Sequence, residues 1–193
     1  MFFSFIIPMY NCEDFISETL KSVCEQSFLD WELILIDDKS NDNTVLICKN
    51  FMKKRKNITL ITTFKNKGPG NARNLGVKKA KGKYLIFLDS DDTISFESLK
   101  NLYESIVKNN FPELVKIKYK DHFGSIHHNK TLHTNLQNQL YKTDLFLLNY
   151  MNTRTFGFFL WEFIIKREFL YKNKICFRIS NMGEDIDFVL KNI

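Results

Sequence analysis

The sequence predicts an α/β fold: a mostly parallel central sheet with helices on both faces, in three α/β/α layers. Two features of the first half of the chain predict it. Short apolar runs alternate with helical patterns of about 10 to 15 residues, which implies right-handed crossovers between parallel strands. The apolar runs are also nearly continuous, as expected for strands that helices cover on both sides.

The predicted elements follow one another regularly along the chain. Strands are expected at residues 2–8, 31–36, 58–63 and 84–88, and helices at residues 13–26, 44–54 and 71–79. Residues 68–70 signal a turn. The pattern degrades over residues 120–139, which indicates strands and loops, and helical patterns return at residues 144–150 and 161–171.

Length and charge limit the function classes. A chain of 193 residues suffices for one domain with a sizeable core. The net charge of +6 favours acidic partners such as nucleotide phosphates, anionic glycolipids or a membrane surface. The basic residues are scattered without an aromatic-interleaved motif, so we expect no nucleic-acid partner. The strongest apolar stretch, residues 156–165, has about half of the roughly 20 residues that a membrane span needs, which leaves only peripheral contact open.

The four cysteines lack the CxxC or Cys/His spacing of a metal site. We interpret them as reduced thiols and expect a cytoplasmic protein, with contact at the inner face of the membrane left open. The four histidines also lack partners for a metal site and are interpreted as exposed loop side chains: His122, His127, His128 and His133.

Polar side chains follow the predicted strands at their carboxyl ends. Tyr10 follows the first strand, Asp37 and Asp38 follow the second, and an acidic run from Asp89 to Asp92 follows the fourth. In a parallel sheet these ends share one edge, and ligands bind beyond it. The sequence therefore predicts a ligand site at this edge.

The acidic run suits a divalent cation. Three carboxylates within four residues repel one another unless a cation or hydrogen bonds neutralise them. Mg²⁺ and Mn²⁺ favour one or two carboxylates together with phosphate oxygens. The alternative is that these aspartates cap a helix beginning near Phe96, a role that suits Asp92 best. Both interpretations remain open.

Two further side chains are candidates for nucleotide contacts. The Asp38 carboxylate could accept a hydrogen bond from an imide N–H such as that of uracil; alternatively the segment of residues 38–42 caps the helix that begins after residues 41–44. Arg73 lies about one turn into a helix, where its guanidinium could meet a diphosphate. No glycine fingerprint follows the first strand, so a nicotinamide oxidoreductase is not expected.

The acids Glu184 and Asp185 come late in the chain. One of them could be a general base that deprotonates an acceptor hydroxyl. The alternative is an ordinary helix N-terminus with acids in its first turn.

Taken in order, these segments resemble the family 2 inverting glycosyltransferases of the bacterial surface-polysaccharide and lipooligosaccharide type, which have the Rossmann-like GT-A fold. The resemblance is carried by FIIPMYN (5–11), SVCEQSF (22–28), WELILIDDKSND (31–42), GNARNLG (70–76), GKYLIFLDSDD (82–92), residues 161–167 and GED (183–185).

The resemblance implies a role for each donor-side residue. Pro8 and Tyr10 would line the base pocket, with Tyr10 packing on the base. Asp38 would bond the base, and Arg73 would lie near the diphosphate. Ser90 would belong to the same donor site.

The resemblance also implies a metal and an acceptor side. Asp89 and Asp91 would form a DxD element that holds Mn²⁺ or Mg²⁺, with Asp91 as the direct ligand. The ion would stabilise the diphosphate as a leaving group. Asp185 would be the catalytic base, with Glu184 beside it and Trp161 also on the acceptor side.

The expected activity is transfer of a sugar from a nucleotide-diphosphate sugar, a UDP sugar, to a hydroxyl of a glycan or glycolipid acceptor, with inversion. We expect one domain over residues 1–193, with a donor half at about 1–120 and an acceptor half at about 121–193. Lys39 stands where the family has glycine. The chain also ends soon after Asp185, so we expect a C-terminal truncation. The alternative function is a sugar-nucleotide-binding module without catalysis.

Overall fold

A computed structural model of the chain describes residues 1–53, 55–117, 119–121, 130–132, 160 and 163–177. The strands are β1 (Phe3–Met9), β2 (Trp31–Asp37), β3 (Ile58–Thr62), β4 (Tyr84–Phe87), β5 (Thr93–Ile94), β6 (Leu114–Lys116), β7 (Tyr119–Asp121), β8 (Lys130–Leu132) and β9 (Phe163–Lys166). The helices are α1 (Ile16–Cys24), α2 (Thr44–Met52), α3 (Pro69–Lys79), α4 (Ser98–Lys108) and α5 (Arg167–Lys172).

A six-stranded sheet in the order β3-β2-β1-β4-β9-β6 forms the centre of the fold. The first four of these strands are parallel, and β9 runs antiparallel to both β4 and β6. A second, small sheet has the order β5-β8-β7. The predicted fold class, a mostly parallel sheet in an α/β protein, is confirmed.

Helices cover both faces of the large sheet. Alternate residues of a strand point to opposite faces, and β1 shows this directly. Phe5 and Ile7 belong to one buried cluster, together with Leu20 of α1. Ile6 belongs to the other cluster, together with Val77 of α3. This double burial explains why β1 reads as a continuous apolar run.

Helix α3 packs closely on the strands because it has a glycine at the contact. A Cβ atom at Gly76 would collide with the side chain of Ile6 and lie 3.0 Å from Cδ1 of Ile36. The missing side chain lets the α3 backbone approach β1 and β2. That approach determines where the preceding turn of α3, which carries Arg73, stands relative to the strand ends.

The structure corrects one predicted element. The helix predicted at residues 161–171 is a strand followed by a helix, because β9 occupies Phe163–Lys166 and α5 begins at Arg167. Phe163, Ile164 and Ile165 are buried between β4 and β6. Burial on both faces of the sheet stabilises this apolar, β-branched run as a strand and overrides its helical pattern. The helix predicted at residues 144–150 lies outside the described residues.

Two smaller expectations can also be compared with the structure. All four cysteines are free thiols, as predicted, and burial raises the pKa of Cys48 to about 12. Within the described part of the chain, no helix has the length and apolar character that crossing a membrane requires.

Replacing Gly76 by alanine tests the close packing of α3. Alanine normally favours a helix over glycine by about 0.5–1 kcal/mol. Here we expect the opposite: Gly76→Ala lowers the free energy of unfolding by about 1–3 kcal/mol, because the methyl group overpacks the contact with Ile6. Urea denaturation measures the change. Lys78→Ala, at an exposed position of the same helix, is the control and should be nearly neutral. A Gly76→Ala protein as stable as the wild type would contradict the packing.

Candidate functional site

A cavity lies where the direction of strand order changes. The chain adds β2 and β3 on one side of β1 and then places β4 on the other side. Such a switch point opens a crevice beyond the carboxyl ends of the strands. Here the crevice is a cavity of about 470 Å³, lined by Pro8, Met9, Tyr10, Asp38, Asn66, Gly68, Pro69, Arg73, Asp89, Ser90 and Asp91.

The cavity brings together the predicted donor-side and metal residues. Its lining includes Pro8, Tyr10, Asp38, Arg73, Asp89, Ser90 and Asp91. The predicted acceptor-side residues lie outside the described residues: Trp161, Glu184 and Asp185. Four further lining residues were not among the predicted site residues: Met9, Asn66, Gly68 and Pro69. Residues 68–70 had signalled only a turn.

Tyr10 stands on a loop that hydrogen bonds hold in place. Asn11, with a φ of 48°, donates its N–H to Oγ of Ser40 at 2.9 Å. Its Oδ1 accepts the N–H of Asn41 at 2.8 Å. These bonds fasten the loop after β1 to the loop after β2. The side chain of Tyr10 is left 50% exposed, so a face of its ring is available to a flat ligand.

Asp42 supplies the helix cap that was considered for residues 38–42. Its Oδ1 accepts the N–H of Thr44, the first residue of α2, at 3.0 Å, and its Oδ2 accepts the N–H of Glu13 at 3.0 Å. Desolvation raises the pKa of Asp42, but hydrogen bonds from Thr44 and Glu13 lower it by more, so the net pKa lies below its usual value. The alternative that residues 38–42 cap this helix is therefore met by Asp42, whereas Asp38 has other partners.

Asp38 instead fastens the loop between β3 and α3. Its side chain is 3% exposed. Oδ1 accepts a hydrogen bond from Oγ1 of Thr63 at 2.8 Å, and Oδ2 accepts the N–H groups of Lys67 at 2.9 Å and Gly68 at 2.7 Å. A carboxylate offers about four acceptor positions, so about one remains for a ligand. Asp37 is fully buried and is not among the cavity-lining residues.

Arg73 and Asp89 form an ion pair in the cavity wall. Nη2 of Arg73 lies 2.9 Å from Oδ1 of Asp89, and the two side chains are 5% and 32% exposed. Charge-assisted hydrogen bonds of this length are stronger than neutral ones. The pair places one positive charge beside the acidic run, which lowers the repulsion among its carboxylates.

The acidic loop ends several residues before the following helix. Helix α4 begins at Ser98, its N-cap residue Glu97 makes no side-chain cap, and Oε1 of Gln26 accepts the N–H of Leu99 in its first turn at 3.1 Å. Asp92 is 4% exposed, and its N–H bonds the carbonyl oxygen of Asp89 at 3.2 Å. Thr19 of α1 donates its hydroxyl to the carbonyl oxygen of Ser90 at 2.8 Å. Backbone groups thus help to hold the loop, and the capping role considered for Asp92 stays a prediction.

The side chains present fit a hard divalent cation that a substrate helps to bind. Asp89 and Asp91 both line the cavity and are partly exposed. Over the described ranges, no group of three or more His, Cys, Asp and Glu side chains could hold an ion by itself. Two carboxylates match the one or two that Mg²⁺ takes from a protein at phosphate sites, where phosphate oxygens complete its ligands.

Comparison with known proteins agrees with this geometry. A sequence model described as "Glycosyl transferase family 2" matches residues 4–171 of this chain. The chain is 45% identical over 103 residues to a poly(ribitol-phosphate) β-glucosyltransferase of Bacillus spizizenii. That match covers 52% of this chain and 16% of that protein. It is 40% identical over 107 residues to WfgD of Escherichia coli, a UDP-Glc:α-D-GlcNAc-diphosphoundecaprenol β-1,3-glucosyltransferase, covering 55% of this chain and 42% of WfgD.

A solved structure shares the whole described architecture. TarS residues 1–349 of Staphylococcus aureus, in complex with UDP-GlcNAc, superimposes with a TM-score of 0.80 and 28% identity. The match covers 100% of this chain and 53% of that one. This chain thus spans about half or less of the length of these three proteins.

Backbone strain at Lys39 yields a stability prediction. Lys39 has a φ of 69°, in the left-handed region that costs a residue with a side chain about 1–2 kcal/mol. We expect Lys39→Gly to raise the free energy of unfolding by about 1 kcal/mol, because glycine adopts this region without that cost. Urea denaturation measures the change. Lys65→Gly, at an exposed residue without positive φ, should instead be slightly destabilising. Equal effects of the two substitutions would refute the strain.

Proposed function

This chain belongs to glycosyl transferase family 2, and on that premise we propose that its cavity binds a nucleotide sugar, a UDP sugar, whose sugar is transferred to an acceptor hydroxyl. One observation carries the proposal: every described residue that the sequence suggested for the donor and metal sites lines the same cavity. Because the chain spans only 42% of WfgD, the activity of the whole protein is part of the proposal.

Donor binding uses three properties of the cavity wall. Its volume of about 470 Å³ lies in the range of small-molecule sites. The exposed ring of Tyr10 packs on the base beside Pro8, and the remaining acceptor position of Asp38 bonds the base N–H. Arg73 supplies positive charge near the diphosphate, and Ser90 belongs to the same wall.

Asp89 and Asp91 are the proposed ligands of Mn²⁺ or Mg²⁺. Their carboxylate oxygens are the hard donors that these ions prefer. A bound ion would supply Lewis-acid stabilisation of the diphosphate leaving group. The contribution of the chain itself is to present Asp91 and Asp89 at the end of β4, with Arg73 holding one oxygen of Asp89.

Proton removal is assigned to Asp185, with Glu184 and Trp161 on the acceptor side. Asp185 would take the proton of the acceptor hydroxyl during one displacement at the anomeric carbon, which inverts its configuration. The donor half at about 1–120 and the acceptor half at about 121–193 are part of this proposal.

The proposed acceptor is a glycan or glycolipid at the inner face of a membrane. The named substrates of the E. coli and B. spizizenii proteins are a lipid-linked sugar diphosphate and a polyol-phosphate polymer. In this chain, the loop between β3 and α3 presents Phe64, which is 98% exposed, between Thr63 and the exposed Lys65. An apolar ring with a neighbouring lysine suits an anionic lipid surface.

The alternative is a module that binds the sugar nucleotide without transferring the sugar. Both functions require UDP binding in this cavity. They differ in turnover: release of free sugar from a UDP sugar, or its transfer, in this chain or a longer form, supports the enzyme. Binding without turnover in both forms supports the module.

Asp91→Asn tests the metal assignment. We expect the Kd of UDP in the presence of Mn²⁺ to rise about tenfold or more, and Mn²⁺-dependent hydrolysis of a UDP sugar to be lost, because one anionic ligand becomes neutral. Titration calorimetry with and without Mn²⁺ measures the binding. Asp30→Asn is the matched control, since Asp30 precedes β2 at the opposite edge of the sheet and its side chain is 57% exposed. Unchanged Mn²⁺ dependence in Asp91→Asn would remove Asp91 from the site.

Phe64→Ser tests the membrane contact. We expect several-fold weaker binding to phosphatidylcholine vesicles that contain phosphatidylglycerol, because the ring no longer enters the interface. Lys65→Gln should weaken the same binding about fivefold, the factor for one lysine near an anionic surface. Leu29→Ser is the control: Leu29 is 80% exposed but lies at the opposite edge of the sheet, before β2. Equal vesicle binding by the wild type, Phe64→Ser and Leu29→Ser would contradict the contact, and UDP binding should be unaffected in all of them.

A further inference from the structure

Asn74 follows Arg73 on α3 but is not among the residues that line the cavity. Both polar groups of its side chain bond the backbone of one distant residue. Nδ2 donates to the carbonyl oxygen of Phe177 at 2.9 Å, and Oδ1 accepts the N–H of Phe177 at 2.9 Å. The side-chain amide thus satisfies both main-chain groups of Phe177, as a neighbouring strand would, and fixes that backbone against α3.

The fixed Phe177 lies beneath the ion pair of the cavity wall. Its side chain is buried, and its ring packs edge-on against Phe87 with a centroid distance of 5.2 Å. The guanidinium carbon of Arg73 lies 5.7 Å from the centroid of the same ring. Phe87 ends β4 two residues before Asp89. The Phe177 ring therefore packs against Arg73 itself and against Phe87, which leads to Asp89 in the chain.

We propose that Asn74 is a positioning residue for the Arg73–Asp89 pair and acts through Phe177. An arginine side chain has much rotational freedom, which burial must restrict. At Arg73, Asp89 at Nη2 and the Phe177 ring both contribute to this restriction. Without the Asn74 amide, the Phe177 backbone loses both bonds, and the surface against which the guanidinium packs is no longer fixed.

The inference rests on the proposed function, because its consequence for binding arises from a diphosphate and metal ion at this pair. A purely structural role of Asn74 would lower stability and leave the pair in place. The two roles are separated by measurements that report on the pair and not on overall stability.

The first measurement compares two ligands. We expect Asn74→Ala to raise the Kd of UDP with Mn²⁺ about tenfold, equivalent to about 1.4 kcal/mol, and to leave the Kd of uridine unchanged, since only UDP reaches the pair. Asn74→Asp keeps an acceptor for the Phe177 N–H and should lie between Asn74→Ala and the wild type. Asn173→Ala is the matched control, because the Asn173 amide bonds only the end of α5, at Phe169. An equal loss for uridine and UDP, or no loss for either, would overturn the proposal.

The second measurement needs no nucleotide. The side-chain Nε–H of Arg73, assigned in NMR spectra with Arg73→Lys, should exchange slowly with water in the wild type, because the side chain is 5% exposed. We expect exchange about tenfold faster in Asn74→Ala and unchanged in Asn173→Ala. Unchanged exchange in Asn74→Ala would overturn the proposal even if UDP binds. Faster exchange in a protein that does not bind UDP would support the positioning role and reject the proposed function.

Discussion

The pairing of β1 with parallel strands on both sides is the constraint on which the rest of the structure depends. Met9 pairs with Asp37 of β2, and Ile6 pairs with Phe87 of β4. These registers bring the residues that follow the three strands to one edge. Since β4 joins β1 on the side opposite β2, the chain must cross over through α3, and the crossover leaves a crevice at the carboxyl ends. Every described candidate residue reaches the cavity from these strand ends or from α3.

The cavity wall is held together by the same polar groups that a ligand would meet. Asp38 has three of its acceptor positions occupied by the loop before α3, and Asp89 gives one oxygen to Arg73. Such bonds fix the positions of charged groups before any ligand arrives. Binding therefore loses less entropy in ordering these side chains. These bonds also limit how many further hydrogen bonds each side chain can make to a ligand. Asp38 retains about one acceptor position, so its contribution to base recognition is narrow and directional.

The local sequence pattern predicted the wrong secondary structure where tertiary contacts compete with intrinsic helix or strand propensity. The run Phe163–Lys166 reads as helical with its neighbours, yet the unpaired edge of β4 binds it as β9. The acidic residues near Asp38 and Asp92 both preceded helices, so capping was a reasonable alternative for each. Asp42 took the first role, and at the second helix, which begins later, at Ser98, the side chain of Gln26 accepts the N–H of Leu99. Distances of one or two residues decide such roles, and sequence patterns do not resolve them.

The sequence by itself determined the order of the first four strands and the three helices between them, the parallel direction of these strands and the edge at which Tyr10, Asp38 and Asp89 gather. It could do so because apolar periodicity and crossover handedness are local rules. Only the tertiary structure decided which partners these side chains meet. The Arg73–Asp89 pair and the contact of Asn74 with Phe177 join residues 16 and 103 positions apart. Such pairs depend on how closely α3 approaches the sheet at Gly76, a packing distance that no local pattern encodes.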